Sequence, residues 1–151
     1  MTEPDLSGRI ALVTGSATGL GRAFALALAD CGASVAVHYR TSDEAAAETA
    51  TVARERGAPE ATSVCADVTS PQQVDDCFRA VEDELGTVDV LVNNVGSAER
   101  GHWTDIDVET WHRVFDTNLT ATYLCSRRAL PAMREAGGGA DRQRRSRRGR
   151  S

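Results

Sequence analysis

Thr14-Gly15-Ser16-Ala17-Thr18-Gly19-Leu20-Gly21 lies between an apolar run, Arg9–Thr14, and a stretch of helical periodicity, and that placement decides the fold. The run R-I-A-L-V-T has the length and composition of a buried strand. After the loop, Leu20–Cys31 sets Leu20, Phe24, Ala27, Leu28 and Cys31 on one helical face, and Gly32 closes it. A strand, a glycine loop and a helix start bring backbone N–H groups and the positive end of a helix dipole to one point, which suits a diphosphate. Gly15 then allows the tight turn off the strand, while Gly19 and Gly21 admit close approach of a ligand and of the neighbouring strand. The competing reading, a turn whose glycines serve packing alone, does not explain why a strand precedes and a helix follows.

The same cadence continues outward. Ser34–His38 reads as a second strand, and Thr41-Ser42-Asp43-Glu44 has capping-box spacing before an alanine-rich helix that ends near Gly57. Thr62–Ala66 gives a third strand. Ser70 then caps a helix with Pro71 at its first position and Gln73 completing the box. Its apolar face is Val74, Cys77, Phe78, Val81 and Leu85, and Gly86 stops it. Val88–Val92 is a fourth strand, and Asp107 starts a helical stretch running through Trp111 and Phe115 toward Met133, bent or interrupted near Pro131. Strands alternating with helices predict an α/β fold built on a parallel sheet. Right-handed crossovers give a Rossmann-like doubly wound sheet of strand order 3-2-1-4, incomplete because the later strands are missing.

Composition divides the chain unevenly. Residues 1–136 carry 11 Arg against 21 acidic residues, whereas residues 137–151 carry 6 Arg against 1 Asp. The expected organisation is therefore a partial dinucleotide-binding domain over 1–136 and an Arg-rich disordered tail over 137–151. As a nucleic-acid arm the tail lacks interleaved aromatics, and the acidic body opposes approach to phosphates, so no nucleic-acid partner is expected. Met1–Gly8 has no basic and apolar leader, and no apolar run is long enough to span a bilayer, which predicts a cytoplasmic protein without a membrane partner. Cys31, Cys65, Cys77 and Cys125 are widely spaced and read as reduced and buried. His38, His102 and His112 show no ligand spacing, so no metal is assigned.

The end of the second strand selects the cofactor. An acidic residue there would bond the ribose hydroxyls and repel a 2′-phosphate, but His38-Tyr39-Arg40-Thr41-Ser42 has none before Asp43. Arg40 is placed to pair with a 2′-phosphate, with Thr41 or Ser42 adding a hydroxyl, so NADP(H) is preferred and NAD(H) stays open. The alternative leaves Arg40 as a solvated surface charge.

These motifs together resemble the N-terminal part of the short-chain dehydrogenase/reductase family, with the flavour of its 3-oxoacyl-carrier-protein reductase-like members. Thr14–Gly21 resembles the T-G-x-x-x-G-x-G loop, and Asp67-Val68 resembles the pair that contacts the adenine. Asn93-Asn94-Val95-Gly96 resembles the N-N-A-G motif with Val for Ala. The resemblance implies a cofactor site of Thr14, Gly15, Ser16, Thr18, Gly19, Leu20, Gly21, Tyr39, Arg40, Thr41, Asp67, Val68, Asn93, Asn94, Val95 and Gly96. It also implies a catalytic role for Asn118, the family's helix asparagine that helps hold a water in the proton relay. Read singly, Asp67 serves equally as a turn cap, Asn93 and Asn94 as turn formers, and Asn118 as a helix asparagine bonded to nearby backbone. The resemblance further implies a small-molecule carbonyl or alcohol substrate and a homo-oligomer whose interface is incomplete here.

One part of the family pattern fails. Its chemistry needs a Ser, a Tyr acid and a Lys four positions after the Tyr, and this sequence contains no lysine. Tyr123 with Arg127 has the spacing, but a guanidinium stays charged and cannot join a proton relay. Two function classes follow: an NAD(P)(H)-dependent oxidoreductase interconverting carbonyl and hydroxyl groups, or a catalytically inactive nucleotide-binding fragment from a frameshifted gene. Codons for Ala140-Asp141-Arg142-Gln143-Arg144 can, read one nucleotide later, spell Arg-Ile-Val-Asn, which resembles the family's next strand. The expectation is a truncated or frameshifted chain after Gly139, with an open apolar edge at the fourth strand and marginal stability or aggregation.

Overall fold

The computed structural model describes the backbone of residues 2–148 and the side chains of residues 2–137. Four strands, β1 (Ile10–Val13), β2 (Ser34–Tyr39), β3 (Ala61–Cys65) and β4 (Val90–Val92), form one parallel sheet in the order β3-β2-β1-β4. The expected 3-2-1-4 arrangement is therefore the one observed. Helices α1 (Gly19–Asp30), α2 (Asp43–Arg56) and α3 (Pro71–Glu84) connect the strands, followed by α4 (Val108–Phe115) and α5 (Ala121–Arg148).

Alternation along the strands explains why helices cover both faces. Successive side chains of a strand point to opposite sides. Val13, Val35 and Val37 pack with Ala25, Ala29, Ala46, Ala50 and Ala53 of α1 and α2. Leu12, Ala36 and Val64 point the other way, into a layer with Phe78 and Val81 of α3 and Ala121, Cys125 and Ala129 of α5. Arg128 fastens that second layer. Its guanidinium makes a paired contact with Glu82 (2.9 and 3.0 Å), a further bond to Asp75 (2.8 Å), and lies 5.2 Å from the Phe78 ring centre.

Local expectations hold in α3 and fail in α1. Val74, Cys77, Phe78 and Val81 are the buried face of α3, with Pro71 in its first turn. In α1 the buried residues are Gly21, Ala25, Leu26 and Ala29, whereas Leu20 is 65% and Phe24 39% exposed. Tight seating of α1 on the glycine loop demands small residues inward, so the helix is rotated by about one residue step, roughly 100°. Ser42 precedes α2 but its side chain makes no capping bond, and Asp43 and Glu44 in the first turn complement the helix dipole instead.

The interruption expected near Pro131 lies elsewhere. A single π turn, Asp116–Thr120, separates α4 from α5, and α5 continues through Pro131. Side-chain donors draw off the carbonyls there: Thr117 Oγ1 donates to Arg113 O (2.8 Å) and Asn118 Nδ2 to Val114 O (2.8 Å). The compositional boundary at 136/137 falls inside α5, whose backbone is helical through Arg148, and the tail residues 149–151 lie outside the described residues. Burial of all four cysteines is not observed: Cys77 and Cys125 are buried, Cys31 is partly so, and Cys65, the last residue of β3, is exposed.

Candidate functional site

The sheet order reverses at β1, which has β2 on one side and β4 on the other, and the crevice outside the strand ends at such a point is where open α/β sheets bind ligands. The glycine loop occupies it. Gly15 and Gly19 adopt φ of +63° and +61°, a region in which a side chain is strained. Gly21 serves close approach: a Cβ there would lie 2.2 Å from Gly15 O. Thr18 is the N-cap of α1 but its side chain makes no capping bond, and Thr18, Gly19 and Leu20 are exposed. The first turn of α1 thus has no side-chain cap from Thr18, and a Cβ on Gly19 would meet no atom within 4 Å.

Thr14 and Asn94 hold the loop to the end of β4. The buried Thr14 hydroxyl accepts from Asn94 N–H (2.9 Å) and Val95 N–H (3.1 Å), and Thr14 N–H donates to Val92 O (3.0 Å). Asn94 Nδ2 returns a bond to Gly15 O at 3.1 Å. Ser16, fully buried, donates from Oγ to Val13 O (2.7 Å). The side chains of these three residues therefore shape the cradle, and what they offer a ligand is the backbone they position.

His38 sits beneath the loop and was missed in the sequence. Its Nδ1 accepts from Gly15 N–H at 2.9 Å, and its Nε2 lies 2.8 Å from Ala66 O. Burial pushes the imidazole below its ordinary range, against the Ala66 carbonyl and the Asp67 charge, which both favour the proton. A lone histidine carries no sequence signal when its partners are backbone atoms.

Beside His38 opens a cleft of about 280 Å³ lined by His38, Arg40, Asp67, Val68, Val95 and Thr117, among others. Asp67 Oδ1 accepts from Thr69 N–H and Thr69 Oγ1 (2.9 and 2.6 Å), which holds its carboxyl below the usual range, and Arg40 and His38 add to the effect. Gln73 reaches back to Asp67 N–H (2.8 Å), so the capping-box glutamine braces the site and not Ser70. Arg40 and Thr41 are exposed at the end of β2. The Asp43 carboxylate near the Tyr39 phenol pushes that phenol up. A larger groove of about 620 Å³ runs between α3 and α5, lined by Pro71, Val74, Leu124, Pro131 and the Arg127 and Arg128 side chains, away from the glycine loop.

Asn118, although exposed, is committed to the protein. Its Oδ1 accepts from Ser97 N–H (3.0 Å) and its Nδ2 donates to Ser97 O (2.6 Å), pinning the segment after Asn93–Gly96 to the π turn. Gly96 permits this contact, since a Cβ there would meet Asn118 Oδ1 at 2.7 Å. Asn93 Nδ2 donates to Ser126 Oγ on α5 (3.1 Å). Among the described residues, Ser97 Oγ is the one buried side-chain polar atom without a partner, and Ser97 also lines the cleft. Tyr123 accepts weakly from Arg127 (3.3 Å) on the exposed face of α5. Among the described residues no group of three His, Cys, Asp or Glu side chains is arranged to hold a metal ion, and no helix is long and apolar enough to cross a membrane.

The family model for short chain dehydrogenase matches residues 9–140. A short-chain type dehydrogenase/reductase of Picea abies is 36% identical over 141 residues, covering 89% of this chain and 52% of that protein. The 3-oxoacyl-(acyl-carrier-protein) reductase of Synechocystis sp. is 39% identical over 123 residues, covering 81% of this chain and 49% of that protein. The crystal structure of L-sorbose reductase from Gluconobacter frateurii, complexed with NADPH and L-sorbose, has a TM-score of 0.81 at 30% identity, covering 88% of this chain and 50% of that one. This chain thus spans about half the length of the relatives it matches. The matched residues take in all four strands, the glycine loop, Asp67, Asn93–Gly96 and Asn118, and the chain belongs to the short-chain dehydrogenase/reductase family.

Proposed function

We propose that this chain binds a nicotinamide dinucleotide across the β1 crevice and prefers NADP(H). The observation that carries the reading is the α1 N-terminus, uncapped by Thr18 and fronted by Gly19 with no atom near where a Cβ would stand. Such a terminus favours an anion by about 0.3–1 kcal/mol at the surface, and more where partly buried. The residues fit the group in a second respect: Ser97, whose buried hydroxyl has no partner, lines the cleft where the resemblance puts the adenine, with Asp67 and Val68. Arg40 stands exposed on the same rim, without an acidic residue ahead of it on β2. Calorimetric titration tests the preference. NADPH should bind more tightly than NADH, and Arg40→Ala should cost NADPH about tenfold, the loss of one charge-assisted bond, while sparing NADH. Tighter NADH binding, or an unchanged ratio in the variant, removes the NADP assignment.

In the whole family protein the bound cofactor supplies hydride to a carbonyl or accepts it from an alcohol, 3-oxoacyl reduction being one candidate reaction. The part played here by Asn118 is to hold Ser97 and hence the cleft wall, with its proposed place in a proton relay resting on the family resemblance. The sequence as given offers no proton donor of the required kind: Tyr39 is pushed up by Asp43, and Tyr123 pairs with an arginine that keeps its proton. The second reading is a nucleotide-binding fragment without turnover from a frameshifted gene. NADPH oxidation with a panel of ketones and 3-oxoacyl thioesters should match the enzyme-free control. Turnover that survives repurification overturns the inactive reading. A neighbouring frame beyond Gly139 that encodes Ser and Tyr-x-x-x-Lys supports the frameshift, and scattered stops there refute it.

A further inference from the structure

His38 is fixed in a single protonation state by two backbone groups that cannot change theirs. Its ring is enclosed, with the residue 2% exposed. A backbone N–H only donates and a carbonyl only accepts, so Gly15 N–H on Nδ1 and Ala66 O on Nε2 require the neutral ring with its proton on Nε2. The backbone of the same residue is tied to the loop twice more, by Ser16 N–H to His38 O (2.9 Å) and His38 N–H to Ser16 Oγ (3.1 Å). Of these four links only the one to Gly15 depends on the ring being uncharged.

We propose that His38 is a positioning residue for the diphosphate-binding loop, which it holds in binding geometry only while its ring is neutral, so that dinucleotide affinity falls on acidification. The proposal rests on the dinucleotide reading above. A proton on Nδ1 would set two donors face to face at 2.9 Å, and either the ring or the Gly15 amide must then turn away. Gly15 is the residue whose positive φ directs the chain into the loop, so a turn of its amide displaces the cradle.

The charges around the ring come from three elements. Asp67, after β3, favours the proton, whereas Arg40, just past β2, and Arg113 on α4 line the same cleft as cations; the glycine loop itself brings no ionisable group. Burial outweighs the favourable contacts and lowers the imidazole from its ordinary value. The ring is therefore neutral throughout the neutral range, and protons compete with the loop geometry only below the ordinary histidine range of about pH 6.5. A cationic ring acting merely as a buried charge would draw a diphosphate in more strongly, so the sign of the pH effect separates the two roles.

NADH is the probe of choice, because the 2′-phosphate of NADPH itself titrates near pH ~6. Its Kd, measured from about pH 8 to about pH 5, should be flat at first and then rise, approaching about tenfold per pH unit, the limit for one linked proton. His38→Gln should flatten that profile, whatever its affinity at neutral pH. Nitrogen-15 NMR of the unaltered protein provides the second readout: His38 should show a bare Nδ1, and the Gly15 amide resonance should move with the His38 titration. Affinity that rises on acidification, a profile shared by the variant, or a Gly15 amide indifferent to His38 overturns the proposal. So does a ring that stays neutral, with flat affinity, until the protein unfolds. Absence of binding by both NADH and NADPH at every pH refutes the dinucleotide reading instead, and the Gly15–His38 coupling then decides the loop-holding role by itself.

Discussion

A methyl group on Gly21 would stand 2.2 Å from Gly15 O and 2.5 Å from Asn94 Nδ2, so the third glycine of the loop is set by contact and the first two by backbone angle. Gly21→Ala should destabilise the protein by about 1–3 kcal/mol, the usual range for overpacking, and weaken dinucleotide binding with it. Urea melts and calorimetry check this, and a variant with unchanged midpoint and affinity contradicts the packing account. The glycine positions were legible because glycine is itself the signal. The duties of Thr14 and Asn94 were not, since the bonds that join Asn94 to the loop span 79 and 80 residues and leave no local pattern. His38 was illegible for a different reason, its ring partners being the N–H of one residue and the carbonyl of another.

At the scale of elements, the order of strands and the buried face of α3 were readable, because a capped amphipathic helix states its own orientation. The face of α1 was not, because Leu20 and Phe24 outweigh Gly21 and Ala25 in hydrophobicity while the sheet selects for smallness. The π turn was likewise hidden, as it arises from Thr117 and Asn118 donating to carbonyls of the preceding turn. Replacing Asn118 by Ala removes both bonds to Ser97 and the one to Val114. The expected cost is about 1–2 kcal/mol, with faster amide exchange at Ser97 and its neighbours and little change in α3. Exchange that stays slow at Ser97 would show that the asparagine does not anchor this segment.

Across the whole molecule, burial sorts the four thiols. It pushes Cys77 up to about 12 and Cys125 up to about 11, so neither forms thiolate at neutral pH, whereas Cys65 is exposed on the rim of the sheet. A thiol reagent should label Cys65 promptly in the native protein and reach Cys77 and Cys125 only on unfolding; peptide mapping of early modified protein checks the order. The sheet also imposes a sequence of events on the chain. Ile10 meets Ser34 and Val35 meets Ala61, closures of modest length, but Ala11 must find Val90. The β1–β4 pairing has the greatest sequence separation of the three, which predicts that β4 docks last. Until Asn94 and Val95 reach the Thr14 hydroxyl, a nascent chain has three paired strands and an unfinished cradle. A ligand that recognises only the finished cradle would then act as a selector during folding, drawing chains through their last closure by mass action.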